Sequence, residues 1–500
     1  MVLTVWFLCL LGAFGSLRAA QPPSPIELQE LAKRAQQAFE SGDFTRAARD
    51  YEDLTRLLPD VPGLQMNLGL ARYLGGDPAG AIEPLRRATA GDPTLTPAWL
   101  FLGAALLDSG QPAEAVQPLR EYLERQPSEG EAWTMLAEAY RLTGRWSEAI
   151  PAFRRALAAD EQNSRAWYGL GKTYETAAGV LFERLDRVAP ESAYWLALIG
   201  ESRLARRQLS SAFFFFRKAL EKKPDLRGVH SGLAAVYEMQ NHPDWAATET
   251  AREEALGPAD CTRNQPYCRW RDGACDHLLA ESAESQDPEV IFWAVRCANQ
   301  EAAEAFRRLE ALPPSPELHR FRAELERARD RHWESIRHWE EALKLSPDDP
   351  TLRQELAFSY YLNRNYAQAQ ALVDELLQSN PDSPELNFLA GDCRLNLQRV
   401  EEAVPFLEKA VRIDPTLLSA HAALGRAYLD LDRPGDALPH LEKALPQDSD
   451  GSIHFQAAQA YRRLGRLEEA RQALTRYQDI KRRVAEADAR LEEEAQITPP

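Results

Sequence analysis

The stretch Trp167-Tyr168-Gly169-Leu170-Gly171-Lys172-Thr173-Tyr174 decides how this chain is read, because its pattern is written earlier at a constant interval. Trp133, Leu136, Ala137 and Tyr140 stand 34 residues before its Trp, Leu, second Gly and final Tyr, and Trp99, Leu102 and Gly103 stand 34 before those. Two further ladders run in phase, one of Ala47, Ala81, Ala115 and Ala149, the other of Pro59, Pro93 and Pro127. Within each period the apolar residues fall at i, i+3, i+4 and i+7, which predicts an amphipathic helix, a turn and a second amphipathic helix. Gly42, Gly76, Gly110 and Gly144 occupy the turn, and the closing Pro ends the second helix. One such unit cannot bury its own apolar face, so the units must stack.

Trp-x2-Leu-Gly-x2-Tyr, then Ala-x3-Phe, then Pro, repeated every 34 residues, resembles the tetratricopeptide repeat. The resemblance covers about four fifths of the chain and implies an all-α fold, a right-handed α-solenoid of stacked helix-turn-helix units. Five units in register start at Leu28, Pro62, Thr96, Gly130 and Ser164, and the pattern is lost after Tyr174. It resumes five residues early with Gly200, Ala212, Phe216 and Pro224, is lost again from Ala259, and returns near Pro316. The expected organisation is a leader over residues 1–20 and an N-terminal stack over 21–258. An irregular cysteine-containing insert with a degenerate repeat follows over 259–315, then a C-terminal stack over 316–478 and a charged capping helix and tail over 479–500.

The family lines its concave surface with the first helix of each unit, and the resemblance implies which offsets point inward. In the N-terminal stack these are Met66, Leu70, Tyr73, Leu100, Leu107, Glu138, Arg141, Tyr168 and Lys172. In the C-terminal stack they are Phe358, Tyr361, Phe388, Asp392, Arg426, Phe455 and Gln459. Aromatic rings interleaved with charges suit an extended peptide or a partner helix. Trp99, Trp133 and Trp167 are expected in the core between helices. Phe213, Phe214, Phe215 and Phe216 are consecutive on one helix, so at least one ring must lie off the core face.

The formal net charge of −17 over 500 residues opposes nucleic-acid binding, which needs a basic stripe to displace counterions. Residues 1–15 form an apolar run of signal-peptide length, although no Lys or Arg precedes it. Small residues near Gly15, Ala19 and Ala20 offer cleavage sites, which predicts an exported chain, periplasmic or secreted. If the run stays uncleaved, it anchors the chain to a membrane with the repeats outside the cytoplasm. Cys261, Cys268, Cys275 and Cys297 cluster in the insert, and in an exported chain they read as two disulfides with three possible connectivities. Their spacing lacks the close Cys pairs of a structural zinc site. Pro266 and Gly273 mark that stretch as a loop, and Cys393 reads as a buried free thiol.

No phosphate-cradling Gly-rich loop, His-Glu-x-x-His pair or nucleophile elbow occurs in the sequence, so neither catalytic residues nor a metal or other cofactor is predicted. The expected function is a non-catalytic scaffold or adaptor that holds a protein or peptide, with envelope assembly or secretion as its setting. The alternatives are a self-assembling structural protein and a regulatory partner of an enzyme such as a glycosyltransferase. Homo-oligomerisation is compatible with each.

Overall fold

The computed structural model describes residues 24–494 and 496–500; the leader and its cleavage sites lie outside them. The chain divides into two compact units, residues 1–160 and 161–500, and every described element is a helix.

The first unit holds four helix pairs: α1 (Pro25–Glu40) with α2 (Phe44–Leu57), α3 (Pro62–Leu74) with α4 (Pro78–Gly91), α5 (Thr96–Asp108) with α6 (Pro112–Arg125), and α7 (Gly130–Leu142) with α8 (Trp146–Ala159). Each helix packs on its partner, and α2, α4 and α6 also pack on the first helix of the next pair. The intra-pair turns put Gly42, Gly76, Gly110 and Gly144 at φ between 71° and 84°, a region costly for other residues. Asp43 and Asp77 cap the helices that follow by accepting the backbone N–H groups of Arg46 and Gly80. Pro84 removes the amide that would bond the Gly80 carbonyl, and Arg72 Nη1 donates to that oxygen instead at 2.8 Å. The tryptophans differ from the core placement expected for them. Trp99 and Trp133 are half-buried, and their indole Nε1 groups donate to the carbonyls of Pro93 and Pro127 at 3.0 and 2.8 Å. Trp167, in the second unit, does the same to Glu161 at 2.9 Å. A large ring with one obligatory donor settles where that donor meets a carbonyl.

The second unit begins with α9 (Ser164–Val188), and here the structure explains the lost register. No second helix starts after Tyr174 because the first does not stop, running 25 residues. The chain then makes an excursion through two helix pairs, α10 (Ala193–Ala205) with α11 (Leu209–Lys222) and α12 (Val229–Met239) with α13 (Pro243–Ala255). Two short helices follow, α14 (Gln265–Arg271) and α15 (Cys275–Ser282), and the chain returns along α16 (Pro288–Glu310) to lie against α9. In an ordinary repeat the small residue of the first helix faces a bulky one sixteen positions on, as Gly391 faces Leu407 and Gly425 faces Leu441. For Gly171 that count gives Arg187, but the residue found there is Phe306, whose ring carbons would lie 2.6 Å from an added Cβ. The second helix of the fifth repeat is therefore α16, which falls inside the stretch read from sequence as an irregular insert.

After α16 the regular stack resumes: α17 (Pro316–Ala328) with α18 (His332–Leu345), α19 (Pro350–Leu362) with α20 (Tyr366–Ser379), α21 (Pro384–Asn396) with α22 (Val400–Ile413), α23 (Leu418–Asp430) with α24 (Pro434–Ala444), and α25 (Ser452–Arg463) with α26 (Leu467–Glu494). At the turn position Arg364, Gln398 and Asp432 replace Gly at φ of 61°, 62° and 55°. On α16 the six consecutive residues Val290, Ile291, Phe292, Trp293, Ala294 and Val295 are all buried, so that segment is enclosed on every side. Cys275 and Cys297 bridge α15 to α16, and Cys261 and Cys268 bridge the preceding loop to α14, which selects one of the three connectivities. Pro266 does not keep this stretch a loop. It sits in the first turn of α14, where no amide donor is needed, and Gly273 follows that helix at φ 73°. Cys393 is buried and free, as expected. Of the four phenylalanines, Phe213 and Phe216 are buried, while Phe214 and Phe215 are half-buried and pack edge to face on each other at 5.1 Å.

Candidate partner-binding face

Because α16 completes the repeat begun by α9, the helix beside α9 in the next repeat is α17. Residues about 150 positions apart then meet. Tyr168 Oη donates to Glu324 at 2.7 Å, Lys172 Nζ lies 3.2 Å from the other carboxylate oxygen, and Arg320 Nε lies 3.3 Å from the first. The Arg320 guanidinium rests 5.0 Å over the Tyr168 ring. Burial pushes the Glu324 carboxyl up, but Lys172, Tyr168 and Arg320 outweigh it and hold the group below its ordinary range. Burial likewise pushes Lys172 down, and Glu324 and Glu175 outweigh that, leaving it raised. Both groups are held ionised, in fixed positions, on a half-buried surface.

The same face continues along the stack. Arg327 pairs with Glu355 at 2.5 Å and lies 5.8 Å from the centre of the Phe358 ring. Phe358 stacks on Tyr361 at 6.3 Å, and Tyr361 Oη donates to Asp392 at 2.9 Å. Arg426 and Asn396 donate to the same carboxylate at 3.2 and 2.8 Å. Burial first, then the Asp392 charge, raises the Tyr361 hydroxyl, which stays protonated as a donor. The result is a strip in which Lys172, Arg320, Arg327 and Arg426 alternate with Glu324, Glu355 and Asp392 around two stacked rings. Each charge already has a partner, so the strip offers positioned donors and acceptors at little ordering cost.

Tetratricopeptide repeat profiles match residues 33–95, 100–164, 143–179 and 355–417, then 394–460, then 451–483, together more than half of the chain. The chain belongs to the tetratricopeptide repeat family. Such stacks of helical pairs are protein-interaction scaffolds, and this chain is one. Similar solved structures include MamA of Desulfovibrio magneticus RS-1, 20% identical over 33% of this chain and 95% of that one, with a TM-score of 0.31. They also include TTC0263, a tetratricopeptide repeat protein of Thermus thermophilus, 20% identical over 37% of this chain and 100% of that one, TM-score 0.30. YrrB, described as having an unusual peptide-binding site, is 19% identical over 32% of this chain and 82% of that one, TM-score 0.28. No curated protein matches the sequence.

The residues expected to face a partner on these tetratricopeptide repeats lie as follows. Phe358 is exposed, Tyr361, Lys172 and Arg426 are half-buried, and these four share the strip. Tyr168 is buried at 7%, so its ring supports Arg320 from below. Phe388 is half-buried against core residues of neighbouring repeats, and the exposed Phe455 lies further along α25, 5.4 Å from Tyr477. Met66, Leu70, Tyr73, Glu138 and Arg141 belong to the first unit. There Tyr73 donates to Asp108 at 2.8 Å and meets Phe101 edge to face, and Arg141 Nε donates to Glu138 at 2.8 Å. Sequence reading missed Arg320, Glu324, Arg327 and Glu355. The signal that could have found them is Ala302-x3-Phe306-x2-Leu309, a second-helix signature lying within the supposed insert.

Proposed function

We propose that this chain is an exported, non-catalytic adaptor that grips an extended segment of a partner protein along the first helices α9, α17, α19, α21 and α23, in envelope assembly or secretion. The observation that carries the proposal is the alternating strip from Lys172 to Arg426, with Phe358 and Tyr361 at its centre. An extended peptide presents donors and acceptors at about 3.3 Å per residue, which suits a row of fixed opposite charges better than a single pocket. Export is supported by two cysteine pairs at bonding distance, which persist in oxidising compartments, and by the apolar run over residues 1–15.

The test is site-specific photo-crosslinking from Tyr361 in cells that express the chain, with Glu402 on a second helix as the control position. Adducts to a reproducible partner from Tyr361 and not from Glu402 are expected. With the probe kept at position 361, the added change Phe358→Ala should abolish them while far-UV circular dichroism stays unchanged. Equal adducts from both positions, or a helicity loss that matches the binding loss, would refute the assignment of this face.

A further inference from the structure

The segment after α26 shows what one kind of groove on this protein holds. Thr498-Pro499-Pro500 lies in the groove between α11 and α13, over α12. Tyr237 Oη donates to the Thr498 carbonyl at 2.7 Å, and Arg217 Nη1 donates to its hydroxyl at 3.4 Å. Leu220, Glu221, Leu233 and Arg252 complete the walls.

The first unit carries that groove again. Between α6 and α8, over α7, stand Arg120, Leu123, Glu124, Leu136, Tyr140 and Arg155, the same six residue types, each 97 positions earlier. This agreement is not a general property of the repeats. In five other grooves the residue twenty, or once nineteen, before the Tyr or Arg of the next first helix is an acid bonded to it. The pairs are Glu52 with Arg72, Glu340 with Tyr360, Asp374 with Arg394, Glu408 with Tyr428 and Glu442 with Tyr461. Arg86, Arg120, Arg154, Arg217 and Arg307 stand at that place in other second helices, and beside Arg120 and Arg217 the facing Tyr140 and Tyr237 have no acid there to take their hydroxyls. At Tyr237 the hydroxyl goes to a peptide carbonyl. The α6–α8 groove is also more apolar, with Trp133 and Ala152 where the other has His230 and Glu249, and it encloses ≈ 550 Å³. An indole face beside a Tyr hydroxyl suits a proline-bearing extended strand, whose fixed φ lowers the ordering cost.

We propose that the α6–α8 groove binds the Ile497-Thr498-Pro499-Pro500 segment of a second copy of this chain, with Tyr140 donating to a backbone carbonyl and Trp133 packing on the prolines. The proposal is independent of the strip on α9–α23. Within one copy the α11–α13 groove competes for the segment at a high effective concentration, so self-association is held back until that groove lets go.

The experiment is sedimentation velocity of the full chain across a wide concentration range, with far-UV circular dichroism on every variant. Arg217→Glu places an acid twenty residues before Tyr237, as in the Glu340 and Tyr360 pair, and should release the segment. Self-association should then tighten about tenfold or more, the equivalent of one lost charged hydrogen bond. Adding Arg120→Glu, or removing residues 496–500, should return the protein to monomer. A labelled peptide of residues 492–500 should bind the Arg217→Glu chain lacking 496–500 and fail to bind it once Arg120→Glu is added. A monomer at all concentrations would overturn the second copy as occupant, and peptide binding indifferent to Arg120→Glu would overturn the groove.

Discussion

Replacing Phe306 by Ala tests the pairing of α9 with α16 on which the second unit rests. Phe306 is 6% exposed, its ring stacks on Phe321 at 4.2 Å and 12°, and its far side lies against Gly171, which has no side chain to refill the space. A hole bounded by glycine backbone and a flat ring cannot collapse, so the cost should sit in the usual range for a buried Phe, about 3–5 kcal/mol. Had the 34-residue register continued, Arg187 would have held this place. It is exposed and donates only to the Glu183 carbonyl at 3.4 Å, so Arg187→Ala should change stability by no more than about 0.5 kcal/mol. Hydrogen exchange read by mass spectrometry suits the question, because a repeat array opens locally as well as globally. Phe306→Ala should raise the opening equilibrium of peptides from α9 and α16 by roughly 10²–10⁴, the equivalent of its free-energy cost, while peptides from α1 to α6 keep their protection. The reasoning fails if α9 exchanges at its original rate in Phe306→Ala, or if Arg187→Ala exposes α9 as much.

Mild acid should weaken the C-terminal repeats. His421 Nε2 faces the Pro415 carbonyl at 3.1 Å, so the neutral ring keeps its proton there and accepts from His440 through Nδ1 at 2.8 Å; His319 and His338 meet at 3.4 Å. All four pKa values are lowered, by burial first and then by neighbouring positive charge, notably Arg322 or Lys443, with the partner ring adding to the effect on His338 and His440. The unfolded chain therefore binds more protons, and the stability from these pairs is complete above about pH 6.5 and is lost as pH falls through the folded values. The thermal midpoint should drop between pH 7.5 and 5, less so in His440→Gln, and an identical pH slope in that variant would exclude the pair as the cause. Gln398→Gly relieves a left-handed residue at φ 62° and should stabilise by up to about 1 kcal/mol, whereas Gly144→Ala at φ 72° should destabilise by about 1 kcal/mol or more. Opposite signs in a urea titration are required. Removing the Cys275 to Cys297 bridge with paired Ser substitutions frees a loop of separation 22 and should cost roughly 3 kcal/mol, seen as faster exchange in α15 and α16. No change there would mean that packing alone holds α15.

A fixed period is a local signal, and that determines what could be read without coordinates. It places each residue within its own repeat, which is why the turn glycines and the closing prolines were legible. It assigns neighbours between repeats only while the next repeat in space is also the next in sequence, and at Tyr174 that condition ends. The chain leaves between the two helices of one repeat rather than between repeats, so the period breaks in the middle of a unit and its second half reappears, unlabelled, as α16. Every contact that depends on closing this gap was hidden, including Glu324 with Lys172 and Arg320 over Tyr168. The traces that survive in sequence are compositional. Phe306 stands where its spacing to Ala302 and Leu309 fits a second helix, and Arg120 and Arg217 stand where five of the repeats carry an acid. Departures of this kind cost a repeat something in packing or pairing, and they are retained where another segment supplies the missing partner, α16 for Gly171 and residues 497–500 for Tyr237. In this repeat protein the place where the sixteen-residue spacing of small and bulky residues fails, Gly171 with Arg187, marks where a segment distant in sequence is received.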